Sequence, residues 1–330
     1  MQENLDFVAI GDITTDAFIR IKQASVHRDA GDPDEKLCLI NGAKIPYESL
    51  TLCAAVGNSP NASVSAARLG LKSALVADVG EDEFGHEDIE TLKKNGVDTR
   101  FVKMHPGQKS NYHFVLWYKA ERTILIKHEE YDYKLPDLGS PKWVYFSSVG
   151  ENSIPYHHEI AEYLKNHPET KLAFQPGTFQ IKLGYETLKD LYTHTHVFFC
   201  NKEEAQLILK TREESGAELA RKMSTLGPKI SVITDGPKGA YAFDGNDAWF
   251  MPPYPDPAPP FERTGAGDAF ASTFASALAL GKSVDEALMW GPINSMSVVQ
   301  KIGAQAGLLT RPELEEYLKN APADYKPQKI

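Results

Sequence analysis

Little in this chain speaks for an oxidising or a membrane setting. Only three of its 330 residues are cysteine, Cys38, Cys53 and Cys200, an odd number with no C-x-x-C pair. That excludes a disulfide framework, argues against a zinc site and fits a reducing cytoplasm. No run of about 18 apolar residues occurs, so no membrane-spanning helix is expected. The opening MQENLDFVAIGD lacks a basic stretch followed by an apolar one and reads as a strand, not a secretion signal. Basic charge is scarce as well: 35 Lys and Arg stand against 45 Asp and Glu, a formal net charge of -10. A nucleic-acid binder needs a net basic face and is disfavoured, whereas a phosphate-bearing small molecule needs only local donors. Two common phosphate signatures are missing outright, G-x-x-x-x-G-K-[ST] and the dinucleotide G-x-G-x-x-G.

What is present reads as a globular α/β chain. With 42% hydrophobic and 24% charged residues it can bury a sizeable core without staples. Phe7–Ile10 is a continuous apolar run ending at Gly11-Asp12, as suits a central parallel strand. Ala17–Ile21, a polar loop Asp29–Glu35 and short extended pieces up to Val56 read as a small antiparallel sheet. A helix is expected over Pro60–Leu69 with Gly70 as its stop, then a strand Ser73–Val79 and a helix Glu83–Asn95 closed by Gly96. Asn111–Tyr118 and Thr123–His128 flank Ala120-Glu121 as a hairpin.

Regular alternation follows, with strands at Trp143–Phe146, Leu172–Gln175, His196–Cys200 and Ile230–Thr234. Helices are expected at His157–Asn166, Lys202–Leu209 and Ser215–Leu226. This argues for a parallel sheet with helices on both faces. A second hairpin, Ala240–Phe243 with Ala248–Met251, precedes Pro252–Pro260, whose six prolines in nine residues exclude a central strand. Long helices over Gly267–Leu280 and Val284–Lys301 and a short one from Pro312 close the chain, with no internal repeat and no long linker.

Five segments carry candidate chemistry. In Arg263-Thr264-Gly265-Ala266-Gly267-Asp268 two glycines flank an alanine before a small-residue helix. Such a turn aims backbone N–H groups and a helix dipole at one point, which suits a phosphoryl group. Asp268 at the helix mouth is placed to take a proton from a hydroxyl. Gly57 and Asn61 open a second helix, where a plain helix cap explains them equally. Asp12 and Asp16 follow the first strand, at the carboxyl end where ligands bind in open α/β sheets; ordinary turn residues would look the same. Asn201 and Glu204 follow a later strand and suit water-mediated contact with Mg²⁺, or simply a charged helix start. Thr234, Gly236 and Gly239 form a glycine-bearing turn between strands.

In this order the five segments resemble the ribokinase-like, PfkB-type carbohydrate kinases, from Gly11 to about Pro312. The resemblance implies an α/β, three-layer αβα fold with a mainly parallel central sheet and a small β-sheet lid. It implies one domain over residues 1–330, with lid segments at about 17–56 and 108–130. The function it implies is transfer of the ATP γ-phosphoryl group to a sugar hydroxyl of ribose or fructose type, with an adenosine-type nucleoside as the alternative acceptor. Asp268 would be the base and Gly265, Ala266 and Gly267 the anion hole. Asp12, Asp16, Gly57 and Asn61 would bind the acceptor. Asn201, Glu204, Thr234, Gly236, Gly239 and Asn294 would serve the nucleotide, with Glu204 on Mg²⁺ through water. It also implies a homodimer paired through the lid, for which the sequence offers edge strands.

The chain departs from the family pattern in places. Glu262-Arg263 replaces the usual Asp-Thr before the glycine turn, which leaves K⁺ activation open. Gln175 ends a strand where D-x-N is common. Tyr112, Phe114 and Trp117 on the lid hairpin are the candidates for a nucleoside base slot. A non-catalytic relative would have lost Asp268 or its glycines, and both are intact.

Overall fold

The computed structural model describes residues 4–29, 35–119 and 121–330. Of the polar loop expected over 29–35, residues 30–34 therefore lie outside the described residues, as does Ala120 at the hairpin tip. After β1 (Phe7–Ile10) come β2 (Thr14–Ile21), the short exposed pair β3 (Ser25–His27) and β4 (Lys36–Cys38), and β5 (Tyr47–Val56). Then follow α1 (Asn58–Arg68), β6 (Ser73–Gly80), α2 (Glu83–Lys94), β7 (Val102–His105), β8 (Tyr112–Tyr118) and β9 (Glu121–Leu125). Strand–helix alternation sets in with β10 (Trp143–Phe146), α3 (Ile154–Asn166), β11 (Lys171–Phe174), α4 (Thr178–His194), β12 (Thr195–Asn201), the helix pair α5 (Lys202–Leu209) and α6 (Gly216–Ser224), and β13 (Ile230–Thr234). The chain ends with β14 (Ala240–Phe243), β15 (Ala248–Met251), α7 (Ala266–Ala279), α8 (Val284–Val298), α9 (Arg311–Lys319) and β16 (Gln328–Lys329).

Ten strands form one sheet in the order β16-β15-β14-β13-β12-β11-β10-β1-β6-β7. The run from β13 to β7 is parallel, and β14, β15 and β16 add an antiparallel edge. Both faces are covered, so β1 and β10 are apolar at every position and their residues split two ways by the period of two. Phe7, Ala9, Trp143, Tyr145 and Phe199 pack with α1, α7 and α8. Val8, Ile10, Val144, Phe146 and Phe198 pack with α3, α4 and α6. The result is three layers, αβα. No helix among the described residues is long and apolar enough to cross a membrane.

A second sheet, β5-β2-β8-β9, stands off the carboxyl end of the first. It is not purely antiparallel, because β2 pairs β8 in parallel. Its register puts Cys53, Asp16 and His113 in one row on one face. On the other face the row runs Leu52, Ala17, Phe114, Leu125. This alternation directs Asp16 and His113 inward and leaves Leu52, Phe114 and Leu125 exposed at 48%, 45% and 51%.

Several boundaries differ from expectation. Helix α4 was not foreseen, because Gly184 (φ 78°) interrupts it and breaks the apolar period on either side. Helix α1 starts at Asn58, two residues before Pro60, since Gly57 is its N-cap. Helix α8 stops at Val298, not Lys301, and β9 stops at Leu125, which frees His128 from the hairpin.

Candidate active site

The glycine segment is a left-handed turn feeding a buried helix. Gly265 (φ 80°, ψ 0°) is the N-cap of α7, and no side chain caps the helix. Only glycine adopts that backbone without strain. The first bond back into the helix runs from Ala269 N–H to the Gly265 carbonyl at 2.8 Å. The N–H groups of Gly267 and Asp268 therefore have no partner inside the helix, and the dipole concentrates positive charge at them. Glu262 pins the turn from behind: its Oε1 accepts from the Thr264 N–H at 2.7 Å and from the Thr264 hydroxyl.

Asp268 sits at this mouth, held by three side-chain amides. Asn58 Nδ2 donates to Oδ1 at 2.7 Å, Asn61 Nδ2 to Oδ2 at 2.8 Å and Gln175 Nε2 to Oδ1 at 3.1 Å. Burial pushes the carboxyl above its ordinary range, and the three amides oppose that rise. Gly57 makes the approach of α1 possible: at φ 125° a Cβ there would stand 2.7 Å from the Asp12 carbonyl oxygen.

On one side of Asp268 lies a cavity of about 510 Å³. Thr234, Gly236, Gly239, Ala266 and Gly267 are all in its wall. Its apolar end is made by Tyr254, Phe270, Pro292 and Met296, and Arg263 is the one basic residue in the lining. Asn294 does not line it, which corrects the expectation. Its side chain is fully buried, donating to Thr273 Oγ1 at 2.7 Å and accepting from Leu309 N–H at 2.9 Å. Its neighbours Pro292, Ser295 and Met296 take that place.

Asn201 and Glu204 form a reciprocal helix cap: Asn201 Oδ1 accepts from Glu204 N–H at 2.8 Å, and Glu204 Oε2 from Asn201 N–H at 2.9 Å. Burial raises the Glu204 carboxyl, the Asn201 N–H opposes it, and the charge of Asp268 raises it further. The two carboxylates are close enough to act on each other electrostatically.

A polar cluster lies where β1 and α1 meet the lid, Gly57 packing on the Asp12 carbonyl. Asp12 accepts from the Tyr133 hydroxyl at 2.9 Å and meets His128 Nδ1 at 3.0 Å. Asp16 meets His113 Nδ1 at 3.2 Å from the lid, and the two imidazoles lie 5.3 Å apart. Asn58, His113 and His128 escaped sequence reasoning, and Gln175 was visible there only as a departure from the family pattern. Gln175 stands at a strand's carboxyl end, a usable signal, and His113 shares the lid face of Asp16. The expected aromatic slot is not assembled. Tyr112 and Phe114 sit on the outward face, while Trp117 packs edge-on against Phe261 with ring centroids 5.3 Å apart.

A doubly covered α/β sheet with a glycine-turn helix mouth and an adjoining lid defines the ribokinase-like class of architecture. The pfkB family carbohydrate kinase model matches residues 30–311, and the chain belongs to that family. The chain is 29% identical to a ribokinase of Bacillus subtilis over 269 residues, 79% of this chain and 87% of that protein. It is 24% identical to a 5-dehydro-2-deoxygluconokinase of Geobacillus thermodenitrificans over 98% of this chain and 95% of that one. A ribokinase of Arabidopsis thaliana solved with ribose and ATP shares the fold with a TM-score of 0.76 and 19% identity, covering 96% of this chain and 99% of that one. A putative Ribokinase II from E. coli, solved with ATP and Mg²⁺, overlays with a TM-score of 0.73 at 16% identity, covering 96% of this chain and 99% of that one.

Proposed function

We propose that the protein transfers the γ-phosphoryl group of ATP to a hydroxyl of a small neutral sugar, with Asp268 as the base. The observation that carries this is Asp268 in the first turn of α7, one residue from the cavity wall at Gly267 and bonded to Asn58 and Asn61 of α1, whose N-cap Gly57 packs on Asp12. Asp268 takes the proton of the acceptor hydroxyl as its oxygen attacks the γ-phosphorus and the bond from that phosphorus to the β,γ-bridging oxygen breaks, leaving ADP. The N–H groups of Gly267 and Asp268 meet the charge growing on the phosphoryl oxygens. The cavity suits the adenosine and phosphates of a nucleotide, and the complexes of the two solved relatives support ATP with Mg²⁺. Among the described residues no three metal-ligating side chains converge. A Mg²⁺ held mainly by phosphates and water would fit that, and Glu204 would offer it a carboxylate through water. The lid closes over the acceptor and keeps out water that would otherwise take the phosphoryl group.

A sugar is favoured over a nucleoside because the lid aromatics do not form a base slot. The test is ADP release across a panel of sugars, sugar acids and nucleosides, repeated with Asp268→Asn. A neutral sugar is expected to be turned over, and the variant to lose roughly 10²- to 10⁴-fold in kcat while still binding ATP. Normal turnover by the variant would overturn the role of Asp268.

A further inference from the structure

An amide helps a carboxylate only with its NH₂ end forward; turned over, it presents a carbonyl oxygen and repels it. Two of the three amides on Asp268 are gripped from behind by their oxygens. Gln305 Nε2 donates to Asn61 Oδ1 at 3.0 Å and to the Ala55 carbonyl at 2.6 Å. A backbone carbonyl cannot be turned over, so Ala55 dictates which end of Gln305 faces it. That same NH₂ obliges Asn61 to show its oxygen to Gln305 and its NH₂ to Asp268. On the other side the buried Tyr145 hydroxyl donates to Gln175 Oε1. Asn58 is the third donor to Asp268.

We propose that Gln305 and Tyr145 are positioning residues that lock Asn61 and Gln175 donor-forward and so keep Asp268 ionised and aimed. Neither side chain is hydrogen-bonded to Asp268 itself. No cationic side chain among the described residues is hydrogen-bonded to Asp268, so among side chains the amides carry this burden, with the α7 dipole beside them. The other titratable groups facing Asp268 are Glu204 on α5, which is acidic, and the Tyr145 hydroxyl. The main chain at Gln305 is itself held in place, since its backbone carbonyl accepts from Arg68 Nη1 at 2.8 Å.

The inference rests on Asp268 being the base, and two measurements separate the failure of each. The first is kcat against pH for the parent, Gln305→Leu and Tyr145→Phe at saturating ATP and acceptor. A base works only when deprotonated, so losing a lock moves the acid limb up, by about one pH unit, with roughly tenfold less kcat on that limb and a smaller loss at high pH. ATP affinity is expected to stay unchanged. The second is the ¹³C titration of the Asp268 carboxyl in the same proteins, which reads the same shift whether or not the chain is a kinase. Tyr145→Phe keeps the buried ring and serves if Gln305→Leu fails to fold. A uniform loss of kcat with an unmoved acid limb and an unmoved carboxyl titration would reduce both residues to structural roles and overturn the proposal.

Discussion

Asp88 roots the lid to the core, and its charge state is testable. Its Oδ1 accepts from the Ala55 N–H at 2.6 Å and from Thr15 Oγ1 at 3.0 Å, where β5 and β2 join the core. Its Oδ2 is buried without a hydrogen-bond partner. Burial pushes the carboxyl from 3.8 up to about 7, against the two hydrogen bonds. The folded state therefore keeps a proton that the unfolded chain has already released. Where that holds, stability falls as pH rises, and the loss is complete once pH passes about 7. At 1.36 kcal/mol per unit, the two units between about pH 5 and pH 7 amount to ~2.7 kcal/mol. Water entering beside Oδ2 would reduce this, so it is a ceiling. Asp88→Asn keeps an oxygen for Ala55 and Thr15 but does not titrate. Its NH₂ is buried where Oδ2 was, at a cost of about 1–3 kcal/mol that does not vary with pH. Urea unfolding of parent and variant from pH 5 to pH 8 is the assay. The variant starts less stable and gains on the parent by up to ~2.7 kcal/mol as pH rises to 7. A constant offset between the two curves would refute the assignment of that proton to Asp88.

Gly265→Ala puts a side chain at φ 80°, with its Cβ 2.7 Å from Ala304 Cα, next to Gln305. Left-handed strain of about 1–2 kcal/mol is added to the clash, and kcat should fall more than roughly tenfold with the circular dichroism unchanged; near-parent kinetics would count against the turn as the anion hole. For the monovalent cation, Arg122 reaches from β9 to within 3.5 Å of Glu262 Oε1 and balances its charge. Turnover is therefore expected to be the same in K⁺, Na⁺ or N-methylglucamine at one ionic strength, and strong K⁺ activation would place a cation at the unpartnered Glu262 Oε2 instead. The outward lid row of Leu52, Phe114 and Leu125 suits a second copy of the chain, so light scattering should find a dimer that Leu52→Lys splits into monomers; a monomeric parent would end that reading.

Backbone chemistry was legible in the sequence. The apolar runs of β1 and β10, the glycines of the turn before α7 and the glycine before α1 each announce a local geometry that neighbouring residues enforce. The α/β class follows from those runs together with the strand–helix alternation after Trp143, because a short strand buried on both faces reads as a continuous apolar run. Helix α4 was lost for a local reason too, since Gly184 resets the helical phase midway.

Side-chain convergence is a different matter. Asp268 gathers Asn58, Asn61 and Gln175 across 93 to 210 residues of chain, and Gln305 reaches Ala55 across 250. No spacing rule links such positions. The polar residues that read as acceptor ligands or caps, Asn61 above all, hold the Asp268 carboxylate. Asn294 shows the same limit from the other side: its place on a wall-forming helix was right to within one residue, yet one residue turns a helix by about 100°. That rotation sends its amide into the core and gives the cavity to Ser295 and Met296. A site of this kind is announced by its backbone turns, and what tunes it is set by which amide can no longer turn over.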